Sequence, residues 1–232
     1  MDDVELVLFE SDEVSNLPTA ETACTLKAIA EETGLSFTVH LPLDVQLGHP
    51  AEGERRRSVE KCLRVIERTS ALSPFAYVIH FHESPCGKIL SGDLEHWRAG
   101  LERSVGELLD KGVPGRLLCV ETLDYSFELV EGIVFGNNLS ICLDVGHVLL
   151  NTHPLQAYLD LYLSRCRVVH LHGVRNGKDH LDISMISREQ LAVLFARLCT
   201  DSSERVVTLE VFNETDLLVS LGVAEGFVRC GA

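Results

Sequence analysis

The chain has 232 residues, 46% hydrophobic and 24% charged, with 35 Asp and Glu against 20 Lys and Arg and a formal net charge of −15. Such a chain is long enough to bury one large core, and its apolar content excludes a disordered or fibrous protein. The acidic balance excludes a broad nucleic-acid surface, whose affinity rests on Lys and Arg at phosphates, yet leaves room for a small phosphate- or sugar-bearing substrate. No apolar run approaches the length of a membrane helix, and the start, "MDDVELVLFE", lacks the basic region of a signal peptide. Eight cysteines occur without a C-x-x-C pair. Cys119 and Cys142 lie in apolar runs and read as small buried hydrophobes of a reducing compartment, so a cytoplasmic location is expected.

In chain order, residues 4–9 predict a strand. Residues 19–33 predict a helix, with Thr19 as N-cap and Gly34 just past its end. A second strand at 36–41 ends in a loop marked by Pro42, Gly48 and Pro50. A charged amphipathic helix over 52–70 precedes a third strand at 76–82 and a turn-rich loop, "ESPCGKILSGD". Helix 93–111, strand 116–121, helix 125–134, strand 139–143, helix 154–164, strand 166–172, helix 187–200 and strand 205–211 follow. A short helix near 214–221 closes the series.

The strands are short and β-branched, without polar alternation, as parallel strands buried on both faces are. Alternating β and α implies right-handed crossovers in one sheet. The expectation is an α/β fold, a TIM-type (β/α) barrel forming a single domain over 1–232. Seven strands are counted where such a barrel has eight. A sheet closed by seven strands, an open sheet, and a barrel lacking its first βα unit are the alternatives; the last is favoured. The open edge would be covered by a partner, by a second copy of the chain or by another segment.

Polar residues interrupt the strands at their C-terminal sides. His40 ends the second strand, and His80 and His82 the third. Glu121 ends the fourth and Asp144 the fifth, with His147 beyond. His170 and His172 end the sixth, and Glu210 the seventh. Each alone has a plain explanation. A strand-end His is commonly solvated, Asp144 in "LDVGH" caps a turn, and Glu121 or Glu210 pairs with Arg or Lys. Six successive strands ending this way point instead to one site at the face where TIM-type active sites lie. Buried carboxylates and imidazoles are tolerable when they hold a cation. The O and N donor set suits one or two divalent ions, Zn, Mn or Fe. In each H-x-H pair both side chains face one way, so one histidine binds metal while the other touches substrate or a supporting group. Here His82 and His172 take the second part. The loop "HGVRNGKDHLDI" adds His180 as a ligand, and Arg175 and Lys178 as holders of a phosphate or a sugar hydroxyl.

From "VELVLFES" to "LEVFN" the chain resembles the xylose-isomerase-like TIM barrels, which include sugar isomerases and epimerases and the endonuclease-IV type of AP endonuclease. In that comparison it begins at the second strand. The one-metal isomerases hold their ion with Glu, Asp, His and Glu from successive strands. "VETLD", "LDVGH", "VVHLH" and "TLEVF" supply Glu121, Asp144, His170 and Glu210 in that order. The endonuclease-like members use further histidines, matched here by His40, His80, His147 and His180. Their Asp two residues before the last His is replaced by Lys178. Isomerases often continue the sixth-strand motif as H-x-x-D, where this chain has Gly173. The segments "VHLPLDV", "VELVLFES" and "VFNETDLLVSL" resemble the cobamide-remodelling phosphodiesterases. The resemblance implies metal-dependent hydrolysis of a phosphoester, that of a cobamide nucleotide loop in the narrowest form, with Glu121 or Glu210 orienting the attacking water. The alternatives are a metal-dependent sugar isomerase or epimerase, with Glu121 and Glu210 moving a proton, and a truncated barrel that binds without turnover.

Overall fold

The computed structural model describes residues 2–11, 14–82, 94–200 and 202–228. The elements run β1 (Asp3–Val7), α1 (Ala20–Thr33), β2 (Ser36–His40), α2 (Glu52–Thr69), β3 (Ala76–Ile79), α3 (Leu94–Asp110), β4 (Leu118–Glu121), α4 (Glu128–Gly136) and β5 (Ser140–Asp144). They continue with α5 (Val145–Leu150), α6 (Leu155–Tyr162), β6 (Cys166–Leu171), β7 (Gly173–Arg175), β8 (Lys178–Leu181), α7 (Arg188–Thr200), β9 (Val206–Leu209) and α8 (Glu214–Val228). Seven strands form one sheet in the order β1-β2-β3-β4-β5-β6-β9, and β7 and β8 form a separate ribbon. This is the α/β, TIM-type arrangement with seven parallel strands. The predicted loop over 83–93 lies outside the described residues. No helix among the described residues is long and apolar enough to cross a membrane.

The chain divides into two compact units, Met1–Ile141 and Cys142–Ala232. In the first, β-branched residues stack between sheet and helices. Val39, Val78, Val120 and the helix residues Leu101 and Leu108 are all essentially inaccessible. Parallel register places Val7 beside His40, His40 beside Val78 and Ile79 beside Val120. The C-terminal ends of β2, β3 and β4 therefore come level, and their terminal polar residues with them.

Helix α1 is mostly exposed and depends on its ends. Thr19 accepts a hydrogen bond from the Thr22 amide at 3.1 Å, and Gly34 returns its amide to Ala30. Replacing Thr19 by Ala is expected to lower stability by ~1 kcal/mol. A urea denaturation midpoint that did not move would show that α1 frays without consequence.

In the second unit β6 and β9 pair in parallel, Leu171 beside Leu209. Between them the segment read as a glycine-bearing loop is an antiparallel hairpin, with Gly173 beside Leu181 and Arg175 beside Lys178. Its two turn residues, Asn176 and Gly177, have φ of 53° and 74°. Asn-Gly suits this tight hairpin because both residues tolerate the left-handed region.

Three further expectations are corrected. The third strand stops at Ile79 rather than 82, because its ladder with β4 ends where Ile79 meets Val120. A short helix, α5, follows Asp144 directly, where only a turn was expected. Helix α8 runs on to Val228, with two glycines inside it. Of the six described cysteines, Cys62, Cys119, Cys142 and Cys166 are buried and Cys24 and Cys199 are exposed. Burial pushes the Cys62 thiol up to about 12 and the Cys166 thiol up to about 11, which leaves both as inert packing groups.

Candidate metal-binding site

In the first unit the ends of β2, β3 and β4 deliver His40, His80 and Glu121. The His40 Nδ1 lies 2.8 Å from the carbonyl of Leu41. A carbonyl only accepts, so Nδ1 carries the proton and Nε2 turns a lone pair outward. That Nε2 is 3.3 Å from Glu121 Oε2, and the Nε2 of His80 is 2.9 Å from the same oxygen. The two rings meet edge to face at 4.8 Å. One ligand atom from each of the three residues falls within 4.8 Å of the others.

A lone pair aimed at a carboxylate in a buried place is repulsive unless a cation intervenes. A protonated ring or a divalent ion meets that need, and Nδ1 bonded to a backbone carbonyl is the usual support of a metal-ligating histidine. The residues present therefore fit a divalent metal, with two imidazoles and one carboxylate as ligands.

His82 sits beside this cluster, its ring 5.3 Å from that of His80. Burial first, and the neighbouring His80 second, pull its pKa down to about 4. It is thus neutral at physiological pH. Between the two histidines, the buried Tyr125 hydroxyl donates to the Phe81 carbonyl at 2.7 Å and fixes the backbone. Burial raises the Tyr125 phenol well above its ordinary pKa, so it stays a donor.

The second unit gathers a larger cluster. Asp144 ends β5 and caps α5, its Oδ1 accepting from the His147 amide at 2.7 Å. The His147 ring lies 3.3 Å from Oδ2. His172 Nε2 is 3.1 Å from Oδ1 and 3.2 Å from Oδ2. His170 Nδ1 is 3.2 Å from Glu210 Oε2 and 3.9 Å from Asp144 Oδ2.

His180, on β8, places Nε2 3.7 Å from Glu210 and Nδ1 3.2 Å from Asp179. Burial lowers its pKa, but Glu210 and Asp179 together outweigh burial and the net direction is upward. Its ring stacks on His172 at 4.2 Å and on Phe212 at 4.6 Å. Asp144, His172 and Glu210 form one triad with ligand atoms close enough to share an ion, and His147, His172 and His180 form another.

Each unit thus brings its own strand-end residues together. Arg175 and Lys178 stand exposed on the hairpin. His172 is fully buried, so its neighbours are protein groups rather than solvent. Two participants escaped the sequence reading. Phe212, 78% exposed, covers the His180 ring. Gly146 admits no side chain, because a Cβ there would fall inside the His172 imidazole. Asn176-Gly177 was the available signal for the hairpin that carries His180.

A family model described as "Xylose isomerase-like TIM barrel" matches residues 1–220. The chain belongs to this family. Among solved structures, a D-tagatose 3-epimerase-like protein is 19% identical at a TM-score of 0.75, over 99% of this chain and 89% of that one. Endonuclease IV from Thermus thermophilus is 22% identical at a TM-score of 0.67, over 96% and 88%. D-psicose 3-epimerase from Clostridium cellulolyticum is 16% identical at 0.71, over 99% and 88%. No curated protein sequence matches the chain. At these identities the likeness concerns the xylose isomerase-like fold, which this chain shares with both epimerases and a nuclease.

Proposed function

We propose that the protein is a divalent-metal-dependent hydrolase of a phosphoester carried on a small molecule. The observation behind this reading is the His40 ring. Its Nδ1 is committed to the Leu41 carbonyl, and its Nε2 lone pair faces the Glu121 oxygen that His80 Nε2 also reaches. His40, His80 and Glu121 would hold an ion in the first unit. Asp144, His147, His170, His180 and Glu210 are the proposed ligand set of the second. A divalent ion in such a place screens phosphoryl charge and acidifies water.

Hydrolysis adds water across the P–O ester bond. Glu121 or Glu210 orients the attacking water and takes its proton. Arg175 and Lys178 offer positive charge to the phosphate, and His82 is the proposed substrate-side histidine. His172, expected from sequence in the same part, is instead buried with both ring nitrogens facing protein groups. The segments "VHLPLDV", "VELVLFES" and "VFNETDLLVSL" favour the nucleotide-loop phosphodiester of a cobamide as the narrower substrate.

A sugar isomerase or epimerase is the competing reading, favoured by the Asp144, His170 and Glu210 set. Metal analysis separates them together with two assays. Two or more ions per chain and hydrolysis of bis(p-nitrophenyl) phosphate are expected. One ion per chain, with deuterium incorporated into a ketose in D₂O and no phosphodiester cleavage, would reverse the order of the two readings.

A further inference from the structure

We propose that His172 is a positioning residue, binding neither metal nor substrate, that links the β7–β8 hairpin to the carboxylate of Asp144. The ring is fully buried. Its Nδ1 receives the backbone amide of His180 at 2.9 Å. An N–H at 2.9 Å requires a lone pair on Nδ1 and outweighs the Gly173 carbonyl, 3.5 Å from the same nitrogen, so the ring's own proton is on Nε2. That Nε2–H is directed at Asp144, 3.1 and 3.2 Å from its two oxygens. Both ring nitrogens are therefore committed to protein groups, and no lone pair remains for an ion or a ligand.

This differs from His40, whose committed nitrogen is Nδ1 and whose Nε2 presents a lone pair. Two histidines at matching strand ends thus carry opposite tautomers and opposite tasks. The geometry also closes around the ring. Gly146 leaves the space that the imidazole fills on one side. The His180 ring lies nearly parallel to it at 4.2 Å and 7°.

His180 has φ of 53°, a backbone conformation that costs energy outside glycine. The amide that this conformation presents is the one bonded to His172. A change in the hairpin is then felt at Asp144 through one rigid ring. The effect on metal affinity rests on the metal-dependent reading above; the two hydrogen bonds do not.

The two halves of the link separate with two variants. His172→Asn keeps an oxygen near the Nδ1 position and loses the donor to Asp144. His172→Gln keeps a donor near the Nε2 position and loses the acceptor for His180. Amide hydrogen exchange is followed at His147, whose N–H bonds Asp144, and at His180. The Asn variant is expected to exchange about five- to tenfold faster at His147 and little changed at His180, and the Gln variant the reverse.

Manganese titration gives the second readout. The Asn variant should bind ~10–100-fold more weakly than wild type, the usual effect of losing a group that orients a ligand, and the Gln variant much less so. Equal loss at both amides in both variants would assign His172 to packing alone and overturn the proposal. So would an Asn variant that holds manganese as tightly as wild type. Failure of the wild type itself to bind manganese would count against the metal-dependent reading, while the exchange pattern still decides the link.

Discussion

Glu210→Gln is expected to lower turnover by about 10²–10⁴-fold, the range that a positioned proton-transfer group contributes. The substitution keeps the shape of the side chain and removes its charge. Glu210 Oε2 lies 3.2 Å from His170 Nδ1 and 3.7 Å from His180 Nε2, so the charge acts on two imidazoles at once. Its loss removes both a candidate ligand and one of the two carboxylates proposed to move the proton.

Stability distinguishes this from a folding defect. The metal-free variant should melt close to the wild type, because Gln fills the same space and keeps hydrogen-bonding groups beside His170 and His180. The rise in melting temperature on adding metal, which follows from binding to the native state alone, should shrink. Full turnover in this variant would remove Glu210 from the site.

Glu121→Gln is expected to weaken metal binding in the first unit by more than about 100-fold, beyond the effect of losing a merely supporting group. Glu121 is buried and its Oε2 faces the Nε2 atoms of both His40 and His80. An amide turned to these rings supplies an N–H to the His40 lone pair that a cation would otherwise satisfy. The variant should consequently fold as well as wild type without metal, and respond poorly to it. Isothermal titration with zinc or manganese measures the loss. Unchanged affinity would mean that the His40–His80–Glu121 cluster is held together by protonated imidazole alone.

The barrel class was legible because its signals are local and repeated. Short β-branched runs alternated with helical ones, and Thr19 and Gly34 bracketed α1 where the structure places its caps. Strand-end residues were legible for the same reason, since a polar residue closing an apolar run stands out. Features that depend on pairing were not. "AYVIHFH" reads as one strand to residue 82, yet β3 ends at Ile79, where its pairing with Val120 is the last of the ladder. "VGHVLL" is too short to show helical period, and α5 exists because the Asp144 carboxylate caps it. Sequence placed His170 and His172 on the same side, with His170 toward metal and His172 toward substrate. It could not show that a nitrogen of His172 meets the His180 amide, eight residues away and brought back by the Asn176-Gly177 turn.

Asp144 shows what a helix start contributes to a proposed ligand. A free aspartate carboxylate rotates about two bonds, and an ion that captures it must first halt that motion. Here Oδ1 is already anchored on the first turn of α5 and Oδ2 already faces the His147 ring. The rotor is locked when the chain folds, before any ion arrives. An ion taken up at this proposed ligand would therefore meet a side chain already ordered by α5 and by His172, and whatever frays the helix would loosen one of its holds.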